Sequence, residues 1–100
     1  MRIEVLYFEG CPNYVPTLDR LRKVLREESV NVDVQEVEVK NAAAAERLRF
    51  IGSPTIRING LDIEADARSG EGVGLACRRY ADGLPSEEII RAALLEARKE

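Results

Sequence analysis

Residues 2–8, with the sequence RIEVLYF, form a run that is apolar at nearly every position. A strand on the surface of a sheet alternates apolar and polar residues, because only one of its faces is buried. A run without that alternation is typical of a strand that is covered on both faces. We therefore expect the chain to begin with a central strand of a sheet that has helices on both sides.

The following residues predict a helix and then a second strand. From Pro16, apolar residues recur at helical spacing as far as Ser29, namely Leu18, Leu21, Val24 and Leu25. Residues 31–39 are rich in valines that mostly alternate with polar residues, which predicts a strand. The alternation slips at Glu36, as it does where a strand contains a bulge.

A second helix and a hairpin are predicted next. Asn41 precedes four alanines and is expected to cap the helix, with Gly52 available as its left-handed end. A short β-branched strand over residues 55–59 ends in the dipeptide NG, a strong signal for a tight hairpin turn. We therefore expect an antiparallel strand to return over residues 62–65.

The remaining residues predict a loop and a final helix. Residues 67–84 contain glycines without a clear period and indicate a long loop, with an ordered piece around residues 76–80. Ser86 is expected to cap a helix that has glutamates in its first turn and basic residues in its last. The resulting order, βαβαββα, predicts a single α/β domain over residues 1–100, with a four-stranded mixed sheet and helices on both faces.

The composition of the chain argues against several classes of function. Lys and Arg total 15 against 18 for Asp and Glu, so the chain lacks the excess of positive charge expected of a nucleic-acid-binding protein. Its apolar stretches are too short for a membrane span, and no signal-peptide pattern precedes the first strand, so we expect a cytoplasmic protein. The chain has two cysteines and no histidine, which argues against a disulfide scaffold and against a zinc or imidazole site; no cofactor is predicted.

One of the two cysteines lies at a position that favours the nucleophilic form of its thiol. Cys11, followed by Pro12 and Tyr14, stands between the first strand and the first helix. Unpaired N–H groups and the positive end of the helix dipole favour the thiolate there, and the thiolate is the nucleophilic form. Cys11 is therefore a candidate nucleophile, the alternative being a small residue that only occupies the turn.

The segment of Ser53, Pro54 and Thr55 carries a resemblance to a known family. Together with Cys11 and the element order, it resembles the thioredoxin-like proteins over nearly the whole chain. The resemblance implies the thioredoxin fold, a cis peptide bond before Pro54 beside the active cysteine, and a groove in which the preceding backbone is free to pair with an extended substrate. It also implies that Cys11 is the attacking sulfur.

A third motif makes the resemblance specific to a smaller group of proteins. Residues 74–78, with the sequence GLACR, resemble a segment of small uncharacterised bacterial thioredoxin-like proteins, some of them labelled as relatives of alkylmercury lyase. Topology returns this loop toward the end of the sheet where Cys11 lies, so Cys77 is a candidate resolving cysteine or a small buried residue. Arg78 is a candidate for binding a thiolate or an anionic substrate, although such residues more often lie on a solvated face.

The chain also departs from the family. Tyr14 occupies the position of the second cysteine of a Cys-x-x-Cys motif, so the usual local disulfide cannot form. We expect a thiol-disulfide oxidoreductase in which Cys77 or an external thiol resolves the mixed disulfide, with a protein or small-molecule thiol or disulfide as partner. Two alternatives remain: Cys11 and Cys77 bind a soft metal such as mercury or copper, or the domain is a redox-silent adaptor that binds peptides.

Overall fold

The computed structural model describes residues 1–69, 72–81 and 83–99. It is a mixed α/β structure with a four-stranded sheet, and the predicted class and the order βαβαββα are confirmed. The strands are β1 (Ile3–Tyr7), β2 (Val34–Glu38), β3 (Thr55–Ile58) and β4 (Leu61–Asp62). The α-helices are α1 (Tyr14–Glu27), α2 (Ala42–Leu48) and α3 (Glu87–Arg98), and a short 3-10 helix covers Ala65–Ser69.

The sheet has the strand order β2-β1-β3-β4, so β1 lies inside the sheet as its apolar run predicts. It pairs in parallel with β2 and antiparallel with β3, and Val5 lies opposite both Glu36 and Ile56. The pairing of β1 with β2 is continuous through Glu36, so the expected bulge is wrong. The slip in alternation has another cause: Val34 and Val37 pack into different core clusters on the two faces of the sheet.

Two hydrophobic clusters cover the two faces of the sheet. One packs Ile3 and Val5 of β1 against α1 and α3, whose buried residues include Leu21 and Leu94. The other packs side chains from the opposite face, around the fully buried Phe50, against α2; it contains Leu6, Val39, Ala44, Ala45 and Phe50. Helices therefore lie on both faces, as predicted, and β1 is buried because both of its faces are covered.

The helix ends follow the sequence signals with one exception. The side chain of Asn41 accepts a hydrogen bond from the N–H of Ala44 at 2.8 Å, and Ser86 caps α3 by accepting one from the N–H of Ile89 at 3.1 Å. The left-handed residue that ends α2 is Arg49, with φ 53°, so the prediction that Gly52 ends this helix is wrong. Gly52 has a different role, described below.

Two other predicted boundaries differ from the structure. Helix α1 begins at Tyr14, before Pro16, because a proline in the first turn removes an N–H that has no partner within the helix. The predicted loop at 67–84 begins within the 3-10 helix, and its residues 70–71 and 82 lie outside the described part of the chain. No helix in the described ranges is long and apolar enough to cross a membrane.

Candidate functional site

The candidate site lies where β1 leads into α1. Strand β1 ends in a turn in which the N–H of Cys11 donates to the carbonyl of Phe8 at 3.3 Å. The carbonyl of Cys11 in turn accepts a hydrogen bond from the N–H of Tyr14, the first residue of α1, at 3.3 Å. These two bonds place the half-buried Cys11 directly before the helix, and its thiol is free.

The N-terminus of α1 is electrostatically uncompensated. Asn13 occupies the N-cap position but makes no side-chain cap hydrogen bond, and the first turn of the helix has no acidic residue. The positive end of the helix dipole is therefore not offset by an acidic side chain in the first turn. Pro12, between Cys11 and the cap, is exposed and available for contact with a substrate.

Tyr14 is largely occupied by contacts within the protein. Its ring stacks on that of Tyr7, with centroids 3.8 Å apart and an interplanar angle of 7°. Its hydroxyl is buried, and among the described residues it has no hydrogen-bond partner. Where the motif would have its second cysteine, the chain therefore has Tyr14, whose stacking on Tyr7 packs the start of α1 against β1. A contact between Tyr14 and substrate stays a prediction.

The Ser53–Pro54 peptide bond is cis, as the resemblance implied. Ser53 and Pro54 are buried, and the hydroxyl of Ser53 accepts a hydrogen bond from the N–H of Phe8 at 3.3 Å. Since Phe8 also accepts the hydrogen bond from Cys11, the turn that carries the cysteine rests directly on the Ser53–Pro54 segment.

The expectation of a free backbone before Pro54 is wrong. The N–H of Ser53 donates to the carbonyl of Ala76 at 2.9 Å, and its carbonyl accepts from the N–H of Arg78 at 2.9 Å. Cys77 thus lies opposite Ser53 in a short parallel pairing, which is the ordered piece predicted around residues 76–80. We call residues 74–80 the strap, because they run alongside residues 50–53 and occupy the main-chain groups of Ser53.

Gly52 allows the strap to approach. A Cβ atom at this position would lie 2.8 Å from the Cβ of Arg78 and 3.1 Å from the carbonyl oxygen of Ala76. Its φ of 141° is also a value that residues with a side chain rarely adopt. The glycine is therefore needed for close packing against the strap, which explains its presence four residues beyond the end of α2.

Arg78 is an internal anchor of the strap. Its guanidinium donates to both carboxylate oxygens of Asp62, at 2.6 and 2.9 Å, and to Glu64 at 2.7 Å. It also donates to the hydroxyl of Thr55 at 3.2 Å, and Thr55 in turn donates to the carbonyl of Gly52 at 2.6 Å. Because the side chain is only 7% exposed and its charge is balanced by carboxylates, these contacts oppose the predicted role of Arg78 in binding substrate. Thr55, fully buried, is held in the same network.

Tyr80 completes the attachment of the strap. Its hydroxyl donates to the carbonyl of Pro54 at 2.7 Å, and the guanidinium of Arg78 lies 4.6 Å from the centre of its ring. The carboxylates of Asp62 and Glu64 were not identified as site residues from the sequence. The available signal was the presence of acidic residues at positions 62, 64 and 66 and of arginines at positions 68, 78 and 79, which gives opposite charges but no distance.

The phenol of Tyr80 predicts an alkaline dependence of stability. Burial, which is the largest influence, raises the pKa of Tyr80 well above its ordinary value, and Asp62 and Glu64 raise it further against the opposing effect of Arg78. The folded state thus holds this proton more tightly than the unfolded chain, so the stabilisation is complete below about pH 10 and is lost as pH rises above it. We expect Tyr80→Phe to flatten the loss of unfolding free energy between about pH 9 and about pH 11 in urea titrations. An unchanged slope would contradict the burial of this phenol.

Cys77 is exposed on the strap and its thiol is free. Both cysteines therefore belong to segments bonded to Ser53: the turn of Cys11 through Phe8, and the strap through its pairing. Over the described ranges, no group of three or more His, Cys, Asp or Glu side chains is arranged to hold a metal ion. The arrangement offers two thiols at one end of the sheet and a helix N-terminus beside one of them.

In comparisons with known proteins, no family model, no curated protein and no solved structure matches the chain. The function is therefore inferred from the geometry described above.

Proposed function

We propose that the chain is a thioredoxin-like domain that catalyses thiol-disulfide exchange, with Cys11 as the nucleophile. The observation that carries the proposal is the shared position of the two cysteine-bearing segments, each hydrogen-bonded to Ser53. A free thiol before an uncapped helix N-terminus is well suited to attack a disulfide, because the dipole stabilises the thiolate. The cis bond before Pro54, next to this turn, also supports the assignment to the thioredoxin-like fold.

The proposed reaction has two exchange steps and a regeneration. The thiolate of Cys11 attacks one sulfur of a substrate disulfide, forming a mixed disulfide and releasing the first thiolate. Cys77, or an external thiol, then attacks the sulfur of Cys11 and releases the second. A low-molecular-weight dithiol supplies the two electrons that return the cysteines to the reduced state. Such a cycle needs a reducing compartment, and we propose the cytoplasm.

The structure bears differently on the two alternatives. A peptide-binding adaptor would use the main chain of Ser53, but that main chain is already paired with Ala76 and Arg78. A soft-metal site remains compatible with two free thiols, since a linear two-thiolate arrangement suits mercury or copper. The test below therefore includes a metal arm.

Replacing Cys11 by serine tests the proposal directly. We expect Cys11→Ser to reduce a small disulfide at least about a hundredfold more slowly than the parent, because a hydroxyl is not ionised at neutral pH. Cys77→Ser is the companion variant, since it removes the candidate resolving thiol and leaves Cys11 in place. If Cys77 resolves the mixed disulfide, Cys77→Ser retains the first exchange step but accumulates the adduct on Cys11, which mass spectrometry detects.

Two outcomes would contradict the proposal. One is equal reductase activity of Cys11→Ser and the parent protein. The other is absence of turnover combined with tight one-to-one binding of Hg²⁺ or Cu⁺ that either cysteine substitution abolishes, which would assign the two thiols to metal binding.

A further inference from the structure

The strap occupies the main-chain groups that an extended polypeptide would need at this site. A segment of backbone with an unpaired N–H and carbonyl at the edge of a sheet can receive another strand, and those hydrogen bonds provide much of the affinity for peptides. At Ser53 both groups are already bonded to the strap, each at 2.9 Å. A polypeptide approaching Cys11 therefore finds no free main-chain partner at Ser53 unless the strap moves away.

Several independent contacts hold the strap in place. The N–H of Gly74 donates to the carbonyl of Phe50 at 2.9 Å, so the pairing extends before Ala76 as well as after it. Arg78 is buried with its charge balanced by Asp62 and Glu64, and leaving that position would separate a buried ion pair. Displacement of the strap by a substrate is thus strongly opposed.

We infer that the strap makes this site selective for low-molecular-weight disulfides over disulfides carried by extended polypeptides, and that Arg78 is the positioning residue that holds the strap. The inference rests on the proposed function and adds the substrate class. A small disulfide needs no main-chain partner and reaches the half-buried Cys11 with the strap in place. A peptide disulfide must either displace the strap or bind without the hydrogen bonds to Ser53.

The test compares two probes that carry the same disulfide chemistry. One is bis(2-hydroxyethyl) disulfide; the other is a short extended peptide whose central cysteine forms a mixed disulfide with 2-mercaptoethanol. Dithiothreitol regenerates the protein, so each turnover converts one disulfide and one dithiol into two thiols and oxidised dithiothreitol. With rates normalised to the uncatalysed reaction, we expect kcat/KM to favour the small probe by roughly tenfold to thirtyfold, because only the peptide must remove two main-chain groups from water without gaining the hydrogen bonds to Ser53.

Variants of the strap test whether it causes the selectivity. Arg78→Met removes the anchor and is expected to bring the ratio of the two kcat/KM values close to one by raising turnover of the peptide probe. Tyr80→Phe removes only the hydrogen bond to Pro54, should remain folded, and is expected to lower the ratio partly. Arg79→Met, at the exposed neighbouring arginine, is the matched control and should keep the parent ratio.

Each outcome decides for or against the inference. Equal turnover of both probes by the parent protein overturns it while leaving the proposed function intact. An unchanged ratio in Tyr80→Phe and Arg78→Met, with faster hydrogen exchange at the amide of Ser53, also overturns it. If the parent reduces neither probe, the proposed function fails, and the inference is then tested by binding of the same peptide with serine in place of its cysteine. Binding of this peptide by Arg78→Met but not by the parent protein supports closure of the site by the strap. Binding by the parent protein overturns the inference.

Discussion

Replacing Gly52 by alanine is expected to lower the free energy of unfolding by about 3 to 5 kcal/mol, from two causes that act together. The new Cβ would lie 2.8 Å from the Cβ of Arg78, and neither the buried anchor nor the strap main chain can move without losing hydrogen bonds. In addition, a φ of 141° is strained for any residue with a side chain. Urea unfolding followed by circular dichroism measures the loss.

Alanine substitutions at two other glycines distinguish the steric cause from the conformational one. Gly83 has a positive φ of 83° but nothing within 4 Å of the place that a Cβ atom would occupy, so Gly83→Ala is expected to cost only about 1 kcal/mol. Gly74 has neither a positive φ nor a close neighbour, and Gly74→Ala is expected to be close to neutral. If Gly52→Ala cost no more than Gly83→Ala, the strap would not lie against Gly52 in solution.

Much of the fold could be predicted because its signals are local. The apolar run of β1, the capping residues Asn41 and Ser86, and the NG turn each act through neighbouring residues, and each is present in the structure. The errors have tertiary causes. The slip at Glu36 suggested a bulge because the alternation did not reveal that Val34 and Val37 enter different clusters.

Prediction of the candidate site was less complete. The turn of Cys11 and the cis bond before Pro54 follow from motifs and lie together, as expected. The main chain of Ser53, however, is paired with residues more than 20 positions away, and no local pattern records such pairing. Gly52 illustrates the same limit, since a glycine after the predicted helix suggested the end of that helix, whereas the glycine is needed for the approach of Arg78.

The ion pair between Arg78 and Asp62 gives the second large effect. We expect Arg78→Met to lower the free energy of unfolding by about 3 to 5 kcal/mol, because it leaves the carboxylate of Asp62 buried without its partner. Adding Asp62→Asn should restore part of the loss, so that the double variant is more stable than the sum of the single effects predicts by at least about 1 kcal/mol. A double-mutant cycle by urea unfolding measures this coupling.

A surface ion pair in the same chain is the control. Lys23 and Glu87 approach to 2.9 Å, similar to the contact of Arg78 with Asp62, but their side chains are 50% and 35% exposed. Lys23→Met is therefore expected to cost less than about 1 kcal/mol, and that cost should fall as salt screens the charges. Burial, and not distance, then accounts for the difference between the two pairs. Equal costs for Lys23→Met and Arg78→Met would show that the strap does not bury its arginine, and the selectivity inferred for the site would lose its physical cause.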